Sequence, residues 1–323
     1  MKHAQFSALL IGLCLAPLGC SVGSHDASTK MINGSLVGAG QYGSTVVYLL
    51  PNAQNRANPD ARCTGVKVSP RHIVTAAHCL VNEWGLVDDN VDAPNAKLEI
   101  SNFGERSTED TSLWHSGYIK RIRSSPGYEE AVMACADAVE TGQPILCKDR
   151  WDMPSELAIV EFTADLPSQW PAAKLDLAPV SVGETVSLVG YGKEIGRYTT
   201  EHKARKKFSH EVVRDWEEMK PLINEADVDS TVAAMTEVAY VTRGLMNPNA
   251  DIGTTVGLMP GDSGGPVYRF GTNHVVGIHR AVYYGNDLPL FHLHSRLSSS
   301  NPSVQAATET FLRSHLPATS FVP

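Results

Sequence analysis

From about residue 31 onward the chain is written in short runs of branched and aliphatic residues broken by turn formers. Thr45-Val46-Val47-Tyr48-Leu49-Leu50, Gly65-Val66-Lys67-Val68, Leu157-Ala158-Ile159-Val160, Glu184-Thr185-Val186-Ser187-Leu188-Val189 and His274-Val275-Val276-Gly277-Ile278 are the clearest. Branched side chains fit a pleated, half-buried surface, and runs this short do not sustain helices, so the pattern predicts an all-β sandwich or barrel. One helix is expected, from about Ser303 to His315, with Pro302 before it and Pro317 after it. The proline-rich stretch from Pro167 to Pro179 reads as a connector between two β units, dividing the fold near 165–180. Residues 104–150 and 193–230 do not follow the strand pattern and read as surface insertions. The second holds the basic cluster Lys203-Ala204-Arg205-Lys206-Lys207, expected to be a solvated loop.

The first twenty residues are of another kind. Lys2 is followed by the apolar stretch Ala8-Leu9-Leu10-Ile11-Gly12-Leu13-Cys14-Leu15, closed by Gly19-Cys20, which reads as a secretory signal rather than structure. No apolar run is long enough for a membrane-spanning helix. Beyond the signal lie Cys63, Cys79, Cys135 and Cys147, an even set that points to two disulfides in an exported chain.

Composition narrows the function classes. With 42% hydrophobic and 19% charged residues, the 323-residue chain has the material for a sizeable core, which excludes disorder as its main state. The net charge of −8, with no aromatic platform beside the basic cluster, argues against nucleic acid as a partner.

Two motifs carry chemistry. In Gly261-Asp262-Ser263-Gly264-Gly265-Pro266 the glycines allow a tight turn and bring backbone N–H groups close to a substrate, and a serine held there is a nucleophile if a base reaches it. In Val74-Thr75-Ala76-Ala77-His78-Cys79 a histidine follows a β run, and a neutral imidazole is the natural base. His292-Leu293-His294 offers two ring nitrogens from one strand face, but nothing else clusters with them, so neither a metal nor a cofactor is expected.

Together, in this order, Thr75-Ala76-Ala77-His78-Cys79 and Gly261 to Pro266 resemble the trypsin/chymotrypsin family of serine proteases, over most of residues 31–316. The resemblance implies two six-stranded antiparallel β-barrels with the active site between them and a helix at the C-terminus. It implies Ser263 as nucleophile, His78 as base, the N–H groups of Gly261 and Ser263 as oxyanion hole, and a Cys63–Cys79 disulfide beside the histidine. Cys135 and Cys147 would then staple the first insertion. The third triad member aligns with Glu156, where the family carries Asp; Asp152 and Asp137 are the rivals. Lys30-Met31-Ile32-Asn33-Gly34 resembles the family's activation site, which implies a zymogen cut after Lys30 by an activating protease. The freed amine of Met31 would pair with Asp262.

The specificity pocket has no acid at Gly257 or Leu258, so a preference for Lys or Arg is not expected. Gly277-Ile278-His279 resembles glutamyl endopeptidases, which implies that His279, aided by Arg280, selects an acidic residue; a core histidine bonded to backbone is the alternative. Leu18-Gly19-Cys20-Ser21 resembles the end of a bacterial lipoprotein signal, although Pro17 departs from the usual leucine. That implies a signal over 1–19, a lipid on Cys20 as the membrane partner, a tether over 20–30, and a protease domain over 31–323.

The expectation is therefore a monomeric exported serine endopeptidase acting on proteins or peptides. It would sit at the outer membrane or cell surface, or be released after activation. The alternative is a weak or inactive protease-fold binding protein that uses the 104–150 and 193–230 insertions.

Overall fold

The computed structural model describes residues 35–38, 40–49, 62–80, 96–102, 114–133, 155–192, 206–222, 235–243, 258, 261–285 and 288–323. The first barrel is built from β2 (Thr45–Leu49), β3 (Arg62–Ser69), β4 (His72–Ala76), β5 (Lys97–Ser101), β6 (His115–Ser124) and β7 (Leu157–Phe162). They pair antiparallel in the closed order β2-β3-β4-β7-β6-β5. The second closes as β9-β10-β11-β14-β13-β12, from β9 (Thr185–Gly190), β10 (Lys207–Arg214), β11 (Ala239–Arg243), β12 (Pro266–Arg269), β13 (His274–Gly285) and β14 (Leu288–Arg296). Closure gives every barrel strand two neighbours and removes the exposed edges that an open sheet would carry. Two short strands attach to the second barrel: β1 (Ser35–Leu36) antiparallel to β10, and β8 (Lys174–Leu175) parallel to β13.

Each expected β run lies in one of these barrels, because its apolar side chains have an interior to fill. Val66, Val74, Ile100 and Val160 line the first, and Val186, Leu188, Val267 and Val276 the second. The barrels also meet through buried polar contacts: the Tyr268 hydroxyl lies 2.7 Å from Ser44 Oγ and 2.9 Å from Thr45 Oγ1. The C-terminal helix is Pro302–His315; Asn301 caps it by accepting the Ser303 N–H, and Phe311 and Leu312 are its buried face. Among the described residues no helix is long and apolar enough to cross a membrane.

The two presumed insertions need correcting. Residues 104–150 contain β6, whose run His-Ser-Gly-Tyr-Ile-Lys-Arg-Ile-Arg-Ser carries charges outward on a barrel wall, so its apolar alternation is thin. Residues 193–230 contain β10, and the basic cluster is not wholly solvated: Lys206 and Lys207 are buried. Lys206 donates to the Tyr42 carbonyl at 3.2 Å and lies 5.6 Å from the Tyr191 ring centroid. The ammonium thus lies over an aromatic face while a carbonyl oxygen accepts from it. Desolvation lowers its pKa to about 7.

Candidate active site

His78 sits in a single 3-10 turn, Ala77–Cys79, that follows directly from β4. The β4–β7 register pairs Ala76 with Leu157, so the residue after the strand end on one side faces the residue before it on the other. The Ala77 N–H donates to the Glu156 carbonyl at 3.2 Å, and His78 Nδ1 hydrogen-bonds Glu156 Oε1. Two rivals for the triad acid, Asp137 and Asp152, lie outside the described residues.

Glu156 is buried and held at several points. The Tyr128 hydroxyl donates to Oε1 at 3.1 Å, Arg280 Nε lies 3.2 Å from Oε2, and the Glu156 N–H donates to Ser295 Oγ at 3.2 Å. Burial pushes its carboxyl pKa up, but the neighbouring His78, Arg280 and Tyr128 outweigh this and leave it below the ordinary carboxylate value. Glu156 is therefore ionised at neutral pH, able to orient His78 and to stabilise its protonated form.

Ser263 stands between two glycines with positive φ, Gly261 at 95° and, immediately after it, Gly264 at 80°. The Gly265 N–H donates to the Asp262 carbonyl at 2.9 Å. In a trans peptide the N–H of Ser263 points opposite to that carbonyl, which leaves it aimed out of the turn as an oxyanion donor requires. A Cβ at Gly264 would lie 2.3 Å from the Thr64 carbonyl and 2.9 Å from the Ala76 nitrogen, so the loop rests directly on the first barrel.

One stretch of β3 supports both halves of the site. Cys63 is disulfide-bonded to Cys79, the neighbour of His78. The next residue, Thr64, donates its N–H to the Ser263 carbonyl and its hydroxyl to the Gly261 carbonyl, each at 2.8 Å. Sequence reasoning missed Thr64; its position beside a motif cysteine was the available signal. Tyr128 and Ser295 were missed as well, because nothing in sequence connects them to Glu156. Cys135 and Cys147 lie outside the described residues.

Asp262 is buried, and its Oδ1 accepts the Gly192 N–H at 2.6 Å. A Cβ at Gly192 would fall 2.3 Å from Asp262 Oδ2, so the carboxylate fits because glycine stands there. Lys30, Met31, Cys20 and Gly257 lie outside the described residues.

His279 and Arg280 are both buried on β13. Arg280 lies against Glu156, as above. His279 is buried in a polar chain inside the second barrel. The Leu258 N–H donates to His292 Nε2 at 3.0 Å, so His292 Nδ1 carries the proton given to Glu211 Oε2 at 2.8 Å. Thr242 Oγ1 donates to the same oxygen at 2.5 Å and accepts from His294 Nε2 at 2.8 Å. His294 Nδ1 then faces His279 Nδ1 at 3.2 Å, and His279 Nε2 faces the Val189 carbonyl at 3.2 Å. Desolvation, with His292 nearby, lowers the His279 pKa to about 3; burial drives His294 well below the imidazole range too. Two neutral rings hold one proton too few to satisfy both of the last contacts.

With this geometry in view, the chain was compared with known proteins. The profile of the trypsin-like peptidase domain family matches residues 63–278, more than half of the chain. The chain belongs to this family. No match was found among curated proteins. Among solved structures, the inactivated protease paralogue S-I1 of the scabies mite is 16% identical, with a TM-score of 0.51, over 86% of this chain and 99% of that one. Neuropsin, a serine protease from mouse brain, is 14% identical with a TM-score of 0.52, over 82% and 93%. A mutant of human heparin binding protein is 15% identical with a TM-score of 0.51, over 82% and 91%. At such identities the structures show a shared trypsin-like fold. That fold supports a hydrolase of the serine-protease type acting on proteins or peptides.

Proposed function

We propose that this trypsin-like peptidase is an active serine endopeptidase with Ser263 as nucleophile, His78 as general base and Glu156 as the triad acid. The observation that carries this is the His78 Nδ1–Glu156 bond. It puts the Nδ1 proton on the carboxylate side and leaves Nε2 free to take the Ser263 proton. Ser263 attacks the peptide carbonyl, and His78 then passes the proton to the leaving amine. The N–H groups of Gly261 and Ser263 hold the oxyanion; one such donor is worth about 2.7–4 kcal/mol in well-studied cases.

For specificity, the reading is cleavage after Glu or Asp. Support comes from the His279–His294 pair, which lacks one proton. A substrate carboxylate beside it would favour the second proton that both contacts need. For activation, cleavage after Lys30 frees Met31, whose amine would join the buried Asp262 carboxylate. β1 begins four residues beyond Met31 and is docked on β10, which supports a short reach. The signal-like start and Cys20 support export as a lipoprotein, and the Lys30 cut would also release the enzyme from its anchor.

The second reading is a catalytically silent binding protein. Arg280 favours it, since a cation beside Glu156 opposes charging of His78, and one structural relative is described as inactivated. Fluorophosphonate labelling and peptide-library cleavage by protein cut at Lys30, beside Ser263→Ala, separate the two. Labelling with cleavage after Glu or Asp supports the proposal. Cleavage after other residues keeps the triad and discards the acidic pocket. Neither labelling nor cleavage leaves the binding protein.

A further inference from the structure

The structure assigns Arg280 a part in the triad itself: it is the positioning residue that holds the glutamate in catalytic geometry. This rests on the endopeptidase reading above. Glutamate has one more rotatable bond than aspartate, so a carboxylate presented to His78 on that longer arm needs restraint at both oxygens. Oε1 is held by His78 and Tyr128. Oε2 faces the Arg280 guanidinium, 3.2 Å from Nε, with both side chains more than nine-tenths buried.

The backbone is shaped for this contact. The β13–β14 register shifts between His279 and Ala281, which makes Arg280 the extra residue of a bulge. Bulges beside active sites re-aim side chains, and here the neighbours go separate ways. His279 points into the barrel toward His294, while Arg280 reaches across to the other barrel. The same turn is tied to the nucleophile loop, since the Gly264 N–H donates to the His279 carbonyl at 2.9 Å and the His279 N–H to the Gly265 carbonyl at 2.8 Å. Arg280 thus links the triad acid to β13, the strand whose His279 backbone hydrogen-bonds the serine loop. Its cost is electrostatic: it neutralises part of the field that Glu156 exerts on His78. A cation in that position is useful to the reaction through geometry, not through charge on the imidazole.

The test is steady-state kinetics of the cut enzyme on a peptide that the wild type cleaves, with Arg280→Met and Arg280→Lys made alone and with Glu156→Ala. A loosened triad member predicts a kcat loss of about a hundredfold in Arg280→Met at nearly constant KM, since misplacement by ~1 Å costs that much. Arg280→Lys should recover about tenfold of it, because an ammonium restores part of the ion pair. In the Glu156→Ala background, removing Arg280 should change nothing further, as residues acting through one another are non-additive. A rise in KM at constant kcat would make Arg280 a pocket wall and overturn the inference, as would unchanged kcat or full additivity with Glu156→Ala. Should Arg280→Met not fold, Arg280→Lys decides alone, by a roughly tenfold drop in kcat or by a changed KM. A wild type that neither cleaves peptides nor takes up fluorophosphonate would instead sink the endopeptidase reading.

Discussion

Replacing Glu156 by Gln separates the triad acid from its rivals and exposes the forces on it. The carboxylate accepts from His78 and Tyr128 on one oxygen and faces Arg280 on the other. An amide has one acceptor oxygen and one donor group, so it cannot serve both sides. The guanidinium attracts the amide oxygen, which turns the NH2 toward His78 Nδ1. His78 must then place its proton on Nε2, where it can no longer accept from Ser263. In Ser-His-Asp enzymes the equivalent change costs ~10⁴ in kcat. Arg280, only 3% exposed, also loses the carboxylate that it faces at 3.2 Å. Breaking a buried pair in this way costs about 3–5 kcal/mol of stability. The assay is kcat on a cleavable peptide, normalised to sites titrated by a burst reagent, with urea unfolding beside it. Asp152→Asn and Asp137→Asn serve as comparisons and should stay within a few-fold of wild type. A Glu156→Gln enzyme within tenfold of wild-type kcat would refute the assignment, and a large loss in Asp152→Asn would transfer it.

Three further outcomes are expected. Stability should fall as pH drops below about 6.5, because His279 and His294 are neutral when folded but bind protons once unfolded. Their folded pKa values are depressed, so the stability is present above the unfolded pKa. It is lost toward pH 3 at about 1.4 kcal/mol per unit per histidine; an unfolding midpoint independent of pH from 7 to 5 would contradict this. Gly264→Ala should abolish fluorophosphonate labelling, because a Cβ at φ 80° would meet backbone atoms of Thr64 and Ala76; normal labelling would show that the loop has room. Cys63→Ser with Cys79→Ser opens a bridge of sequence separation 16, with an expected loss of about 3 kcal/mol in urea unfolding. A larger fractional loss of kcat than of stability would show that the bridge also seats His78.

The strands and helix were legible because their signals are local. Continuous runs of branched and aliphatic residues reach the sequence directly, as in Val46 to Leu49 or Val186 to Val189. The strands β6 and β10 were missed because charged residues blur the alternation, on the outer wall in β6 and at the buried positions Lys207 and Glu211 in β10. His78 and Ser263 were legible because their motifs keep the turn formers and small residues that the chemistry needs side by side.

What the sequence determined by itself is the inventory: a β-rich chain, a nucleophile turn, a base after a strand, and a carboxylate near the start of another. Partnership was decided only in three dimensions. Thr64 and Gly261 are 197 residues apart, yet a hydroxyl joins them, and Glu156 meets Ser295 across 139 residues. Arg280 was read as part of a pocket because sequence shows its neighbours along the strand. Barrel closure and a bulge bring it against the carboxylate of Glu156, a contact that no stretch of sequence announces. A buried charge takes its partner from whatever the packing brings within reach, and packing is a property of the whole chain.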